Sequence, residues 1–363
     1  MTDLRSWHRL SLDVGPGLIV MSGPNGAGKT SVVEAVALGL VGVSPRTARE
    51  AEAVRTSAVA LHVAMDVDSP SGPQHREIGY QPGVGRRLRR DGVPVRSLAD
   101  WRASGSLLVF LPEELRAVKG PPAARRRVID RLIEGLDPQY LSLSTSYNAA
   151  ISQRNALLKR IRSGLTGPSG LTSWDHAVVE LGARISAARV AAISRIDPLF
   201  RIWMDRLGGG SDARIAWEPS PSALREHDPA EFEEVLGDLI GVNRERDLRA
   251  AQTLSGPHRD DVWIGVDDQD LRRTGSQGEQ RTAVLALLLA CRDHLAVEAV
   301  PPIVLLDDVL SELDPERRRR LLDAVHDGGQ TWVTSADPDA AALAVASGAA
   351  HVLNVTRGRI DVA

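Results

Sequence analysis

The run Gly23-Pro24-Asn25-Gly26-Ala27-Gly28-Lys29-Thr30 constrains this chain more than any other feature, because it fits the phosphate-loop pattern G-x-x-x-x-G-K-[ST]. Such a loop needs a buried strand before it and a helix after it. Leu18-Ile19-Val20-Met21 is a short apolar run that reads as the strand, and Ser31–Leu38 reads as the helix. The glycines let main-chain N–H groups wrap phosphates, and the helix N-terminus adds unpaired donors and its dipole. Lys29 is expected to reach the β- and γ-phosphates, and the Thr30 hydroxyl to hold Mg²⁺. An ordinary glycine turn before a helix is the competing reading, and the flanks argue against it. The chain has only three lysines among its 44 basic residues, and one of them is Lys29. A compact ammonium fits a phosphate loop where a planar guanidinium does not. The pattern implies a nucleoside triphosphate.

With 363 residues, 43% of them hydrophobic, the chain is long enough for two or three lobes around a large core. A formal charge of −3 provides no global field for nucleic acid, so any such contact must come from local patches. Cys291 is the single cysteine and cannot form an intrachain disulfide, which points to a reducing, cytoplasmic setting. No signal-peptide core and no membrane-length apolar run are present, so a soluble protein with no membrane partner is expected.

Short strands dominate the first hundred residues, including Ala58–Val67 and Ser106–Phe110, with turns at Ser69–Pro73 and Gln81–Gly85. From Glu113 to Arg249 the pattern is helical. Leu136, Tyr140, Leu143, Tyr147 and Ile151 share one helix face, as do Leu181, Ile185, Ala188, Ala192 and Ile196. The Gly/Pro/Ser loop Ser163–Gly170 between them predicts two antiparallel helices, either a protruding arm or a plain helical subdomain. Strand–helix alternation returns after Asp261, with strands at 262–266, 303–306 and 331–334, helices at 277–295 and 315–325, and a hairpin around Arg357-Gly358. The expected division is an N-terminal part of an ATP-binding lobe (1–112), an inserted helical lobe (113–249) and the C-terminal part of the first lobe (250–363).

Ile303–Leu306 runs into two carboxylates, Asp307 and Asp308. At the end of a strand beside a phosphate loop, the first is placed to hold Mg²⁺, and the second to orient or deprotonate an attacking water. Gly275-Ser276-Gln277-Gly278 opens a long apolar helix, a second N-terminus able to face phosphate. An N-cap at Ser276 alone would also explain it. One cradle already stands at 23–30, so the second makes most sense against a nucleotide held by a partner subunit. That is the sequence argument for an ATP-dependent homodimer.

Phosphate loop, Ser-Gln-Gly turn, strand-end Asp307-Asp308 and Ser311-Glu312-Leu313-Asp314 follow one another in the order of ABC-type ATPases. The match becomes specific at Ser255-Gly256-Pro257-His258-Arg259-Asp260-Asp261, at Phe110–Leu115 with Val118-Lys119-Gly120, at Arg125–Arg127, and at Ser152-Gln153-Arg154-Asn155. Over nearly its whole length the chain resembles the RecF family of bacterial recombination mediators. The resemblance implies an α/β fold, an ABC-type P-loop ATPase head formed by both chain ends with an inserted helical lobe. It also implies a weak, DNA-stimulated ATPase of the cytoplasm that binds gapped DNA or single-strand/double-strand junctions. Such proteins act with RecO and RecR and, through them, load RecA. By the same resemblance Gly23–Thr30 bind ATP, Asp307 serves Mg²⁺, Asp308 is the catalytic acid, and Ser276, Gln277 and Gly278 contact nucleotide across a dimer.

Several positions depart from the family pattern. Glu279 brings a negative charge into the turn after Gly278, Ser44-Pro45-Arg46 lacks a customary His, and Trp7-His8-Arg9 replaces an aromatic-Arg-Asn run. Asp308 stands where most soluble ABC ATPases carry Glu, which suggests slow hydrolysis suited to a switch. For DNA, the candidate patches are Arg86, Arg87, Arg89 and Arg90, and Arg154, Lys159, Arg160 and Arg162. A solvated charged face is the common alternative for any one of them. A transporter's coupling subunit and a nucleotide-gated DNA clamp with negligible hydrolysis are the rival functions. The lack of an Asn-Lys-x-Asp base-reading motif argues against a GTPase.

Overall fold

The computed structural model describes residues 1–362 except 48, 70–71, 103–106, 221, 299–300, 312, 327, 338 and 350. Pro70 and Ser71 of the expected turn, Ser106 of the expected strand, and Glu312 therefore lie outside the described residues. The chain divides into two compact units, one made of 1–114, 206–208 and 288–363, the other of 115–205 and 209–287.

In the first unit a six-stranded sheet of the described residues runs in the order Arg359–Val362, His351–Thr356, Leu18–Ser22, Thr331–Ser335, Ile303–Leu306, Leu107–Phe110. All neighbouring pairs are parallel except the terminal hairpin. Leu18–Ser22 is buried along its entire length, as a near-continuous apolar run in a parallel sheet must be. The helix Lys29–Val41 packs Val32, Val33 and Ala37 against Ile19, Met21, Leu305, Trp332 and Leu353. A second, antiparallel sheet joins Trp7–Arg9, Thr2–Leu4, Leu61–Ser69, Gly72–Gln81, Gly85–Arg90 and Val93–Val95. Leu61, Val63, Ile78 and Leu88 point to its core side, where they meet Leu38 and Trp101.

The second unit is mainly helical. The single face expected from Leu136 to Ile151 is broken, because Asp137 caps a new helix, accepting from the Gln139 N–H at 2.8 Å, and Pro138 takes its first position. Pro122–Leu136 and Pro138–Arg162 are thus separate helices. Pro138–Arg162 and Leu171–Arg206 run antiparallel, as expected. Arg154 meets Asp175 at 2.7 Å, a Cβ on Gly182 would lie 3.3 Å from Tyr147, and Tyr140 and Arg189 share Asp130 at 2.7 and 2.9 Å.

The expected boundary after Arg249 is displaced. Ala213–Glu218, inside the insertion, pairs antiparallel with Asp261–Val266 over six residues. That ladder satisfies the strand's N–H and C=O groups within the helical unit, so 250–287 belongs there and the break falls inside the helix Gln277–Glu298.

Candidate nucleotide site

Residues 23–28 form the loop between Leu18–Ser22 and Lys29–Val41, and Lys29 and Thr30 open that helix. Two of the loop's glycines are sterically required. At Gly23 (φ 155°) a Cβ would collide with the Val355 carbonyl at 2.0 Å, and at Gly28 (φ 108°) with the Trp7 indole nitrogen at 2.5 Å. The Trp7 indole N–H donates to the Gly28 carbonyl at 3.0 Å, fixing the end of the loop from outside. The Lys29 ammonium turns into the loop and donates to the Gly23 and Pro24 carbonyls at 2.6 and 3.0 Å. Burial lowers its pKa, opposed by the nearby charges of Asp308 and Asp307.

Thr30 Oγ1 donates to Asp307 Oδ1 at 3.0 Å, joining two residues far apart in sequence. Thr334, on the neighbouring strand, donates to the same oxygen at 2.5 Å and accepts the Asp308 N–H at 2.9 Å. One hydroxyl therefore orients the first carboxylate and the main chain of the second. Asp308 has φ 50°, in the left-handed region that Asp tolerates better than most residues, so the chain turns sharply between the two acids. Burial raises the Asp307 pKa, with the two threonine hydrogen bonds and Arg46 pulling it back and Asp308 adding to the rise. A hydroxyl and a buried carboxylate at the mouth of a glycine cradle suit a hard, oxygen-loving cation, so the donor set fits Mg²⁺.

The raised pKa carries a stability prediction. A carboxyl whose pKa is higher in the fold than in the unfolded chain favours folding at low pH and opposes it once the native group ionises. Asp307→Asn is therefore expected to raise the melting temperature of the nucleotide-free protein near neutral pH. The gain should shrink as pH falls toward the ordinary carboxylate range. Scanning calorimetry across pH checks this; a variant less stable than wild type at neutral pH would contradict it.

Sequence reasoning missed Thr334, because nothing local marks a threonine one strand away as a carboxylate's partner. It also missed a buried cluster on the phosphate-loop helix. The fully buried Glu34 carboxylate binds Arg5 in bidentate fashion at 2.7 and 2.8 Å, accepts from Ser44 at 2.5 Å and faces Arg46 at 3.5 Å. The segment Ser44-Pro45-Arg46, noted above only as a departure, is held there.

In the helical unit, Ser276 and Glu279 bond reciprocally. The Ser276 N–H donates to the Glu279 carboxylate at 2.7 Å, and Ser276 Oγ accepts the Glu279 N–H at 3.3 Å. The negative charge that departed from the family pattern is thus spent on a capping box. Gln280 holds the turn from beneath through the Leu271 and Gly275 carbonyls, leaving Ser276 and Gln277 exposed. His258 is structural: its Nδ1 accepts from Tyr147 at 2.7 Å and its Nε2–H donates to the Thr253 carbonyl at 3.1 Å, and burial pushes its pKa down to about 4.

The basic candidates separate. On Gly85–Arg90, Arg87 and Arg89 are exposed, whereas Arg86 pairs with Glu50 and Arg90 donates to the Asp100 and Trp101 carbonyls at 2.6 and 3.2 Å. Lys159 and Arg160 are exposed. Arg154 is not a surface cation: it is fully buried between Asp175 and Asp247, 2.7 Å from each, and donates to Thr253 at 2.8 Å. Its expected DNA contact is withdrawn, since a charge this enclosed is committed to its partners.

Residues 1–76 match a profile described as an AAA domain. A DNA replication and repair protein RecF of Symbiobacterium thermophilum is 35% identical over 92% of this chain and 89% of its own length. The solved structure of the recombination mediator protein RecF with ATP, from the RecFOR pathway, superposes with a TM-score of 0.87 at 26% identity, covering 99% of this chain and 95% of that one. An Smc head, at a TM-score of 0.59 and 14% identity over 100% of this chain and 94% of its own, shares the fold. Among the described residues no helix is long and apolar enough to cross a membrane. The likeness runs through the inserted helices as well as the glycine cradle, and by that near whole-length match the chain belongs to the RecF family.

Proposed function

We propose that this chain is an ATP-dependent DNA-binding protein of recombinational gap repair, a switch that closes as a homodimer on ATP and opens on slow hydrolysis. The observation that carries the reading is the 3.0 Å contact between Thr30 and Asp307 beside the Lys29 ammonium. Lys29 would bind the β- and γ-phosphates, and Thr30 with Asp307 would hold Mg²⁺, which when bound would neutralise charge developing between those phosphates. Asp308, turned aside by its main-chain conformation, is left to orient or deprotonate water. The Ser276-Gln277-Gly278 turn, exposed at Ser276 and Gln277, would meet the nucleotide of a second copy through the Gln277 and Gly278 N–H groups. Gapped DNA and RecO- and RecR-type proteins are the proposed partners, with RecA loading as the outcome and the cytoplasm as the setting. Relatives that cover the inserted helices favour this over a transporter's coupling subunit.

The test is at Ser276. Ser276→Arg is expected to leave ATP affinity of the isolated subunit near the wild-type value and to block dimer closure with a bulky cation. Ser276→Ala loses the same cap, at a cost of roughly 0.5–2 kcal/mol, without the bulk, and should still dimerise. Sedimentation in Mg-ATP reads both. Arginine-variant dimers as abundant as wild type would sink the composite site.

A further inference from the structure

The buried Arg154 pins together two helices whose outer surfaces carry unspent positive charge. It reaches Asp247 on the helix Arg244–Ala250 from its own helix Pro138–Arg162, and both side chains are fully buried. A second link, from Arg162 to the Arg249 carbonyl at 3.4 Å, joins the same two helices near their ends. Each helix then presents two exposed cations three residues apart, Lys159 with Arg162 and Arg246 with Arg249. Residues at that spacing share a helix face. Arg162 fixes which face this is on the longer helix, because its side chain reaches the shorter one. Arg160, two residues from Arg162, lies about 200° around the helix and points elsewhere. Counter-charge is slight. Glu245 meets Arg249 only at 4.0 Å and is 92% exposed, and Asp175 is engaged by Arg154 and Arg244.

We propose that Lys159, Arg162, Arg246 and Arg249 form a phosphate-tracking surface for the DNA backbone. The proposal rests on the DNA-binding reading and deepens it by assigning a place. Two pairs of cations on rigid, cross-braced helices match a polyanion with regularly repeated charge. Contacts to phosphate carry no sequence information, so the surface takes DNA of any sequence. Sequence reasoning picked out Lys159 and Arg162 within the segment 154–162, but Arg154 is the brace, and half of the surface comes from residues about ninety positions later.

The experiment is a salt series of fluorescence anisotropy titrations with gapped duplex DNA and Mg-ATP, using the full chain. Lys159→Gln with Arg162→Gln, and separately Arg246→Gln with Arg249→Gln, are each expected to flatten the slope of log affinity against log salt by about 1.8. That is two contacts at about 0.9 each. Arg160→Gln should leave the slope unchanged, and all three should bind ATP as wild type does. The second pair keeps the Arg162 link, which uses the Arg249 main chain, so a loosened fold cannot account for both results. Slopes equal to wild type in both double variants would overturn the surface while leaving DNA binding standing. Unaltered slopes with weakened capture of poly-glutamate would hand the surface to an acidic protein segment and overturn it equally. Wild-type protein that fails to bind DNA at low salt would overturn the functional reading, and the surface with it.

Discussion

Lys29→Ala is expected to lower ATP affinity tenfold or more and to abolish ATP-driven dimerisation. The ammonium sits inside the loop with two of its three donors on the Gly23 and Pro24 carbonyls, so it already stands where phosphate oxygens would arrive. A charge-assisted contact is worth roughly 1.5–3 kcal/mol, or about one to two powers of ten in affinity. Lys29→Arg should rescue little, because a planar guanidinium does not fill the position of a compact ammonium. The fold should tolerate the loss. Burial lowers the lysine's pKa, so its charge is held against a desolvation cost that alanine removes. Calorimetric titration with Mg-ATP, paired with a melting curve of the nucleotide-free protein, separates the two effects. Unchanged affinity would remove the basis of the site.

A second large effect is expected at Asp308. Asp308→Asn keeps size and most hydrogen bonding while removing the basic carboxylate, so hydrolysis should fall by roughly 10²–10⁴, the usual contribution of a positioned base. ATP should still bind, because Lys29, Thr30 and Asp307 are untouched. The left-handed φ of 50° is a further reason to choose asparagine, which visits that region readily where alanine would add backbone strain. If hydrolysis opens the dimer, this variant should accumulate as a closed dimer and leave DNA slowly. Gel filtration in Mg-ATP and a DNA dissociation time course check both halves. Wild-type hydrolysis would remove the carboxylate from its role, and wild-type dissociation would remove the switch.

The parts of this site that could be read in the sequence are those where covalent order dictates geometry. Residues 23–30 are contiguous, and Gly23 and Gly28 are fixed by contacts that admit no side chain. Asp307 could be read because a strand ending in acid beside such a loop has few other uses. Thr334 could not, because its role comes from strands pairing in register across the sheet. Arg154 was misread for a related reason. An arginine among polar neighbours looks solvated until the fold brings Asp175 and Asp247 to it. The lobe boundary failed where pairing is non-local: Ala213–Glu218 lies in a helical stretch and takes a partner more than forty residues away.

The strand that carries the phosphate loop has a consequence for the order in which the protein can be made. Leu18–Ser22 is hydrogen-bonded on one side to Thr331–Ser335 and on the other to His351–Thr356. Neither neighbour exists until more than three hundred further residues have left the ribosome. At about 5–20 residues per second the loop waits roughly 15–60 s with its strand unpaired. During that interval Gly23 has no Val355 carbonyl to pack against, and Thr30 has no Asp307 to bond. Nucleotide capture can begin only when synthesis is nearly finished. A prematurely terminated chain would thus carry the complete phosphate-loop sequence and still be unable to hold ATP.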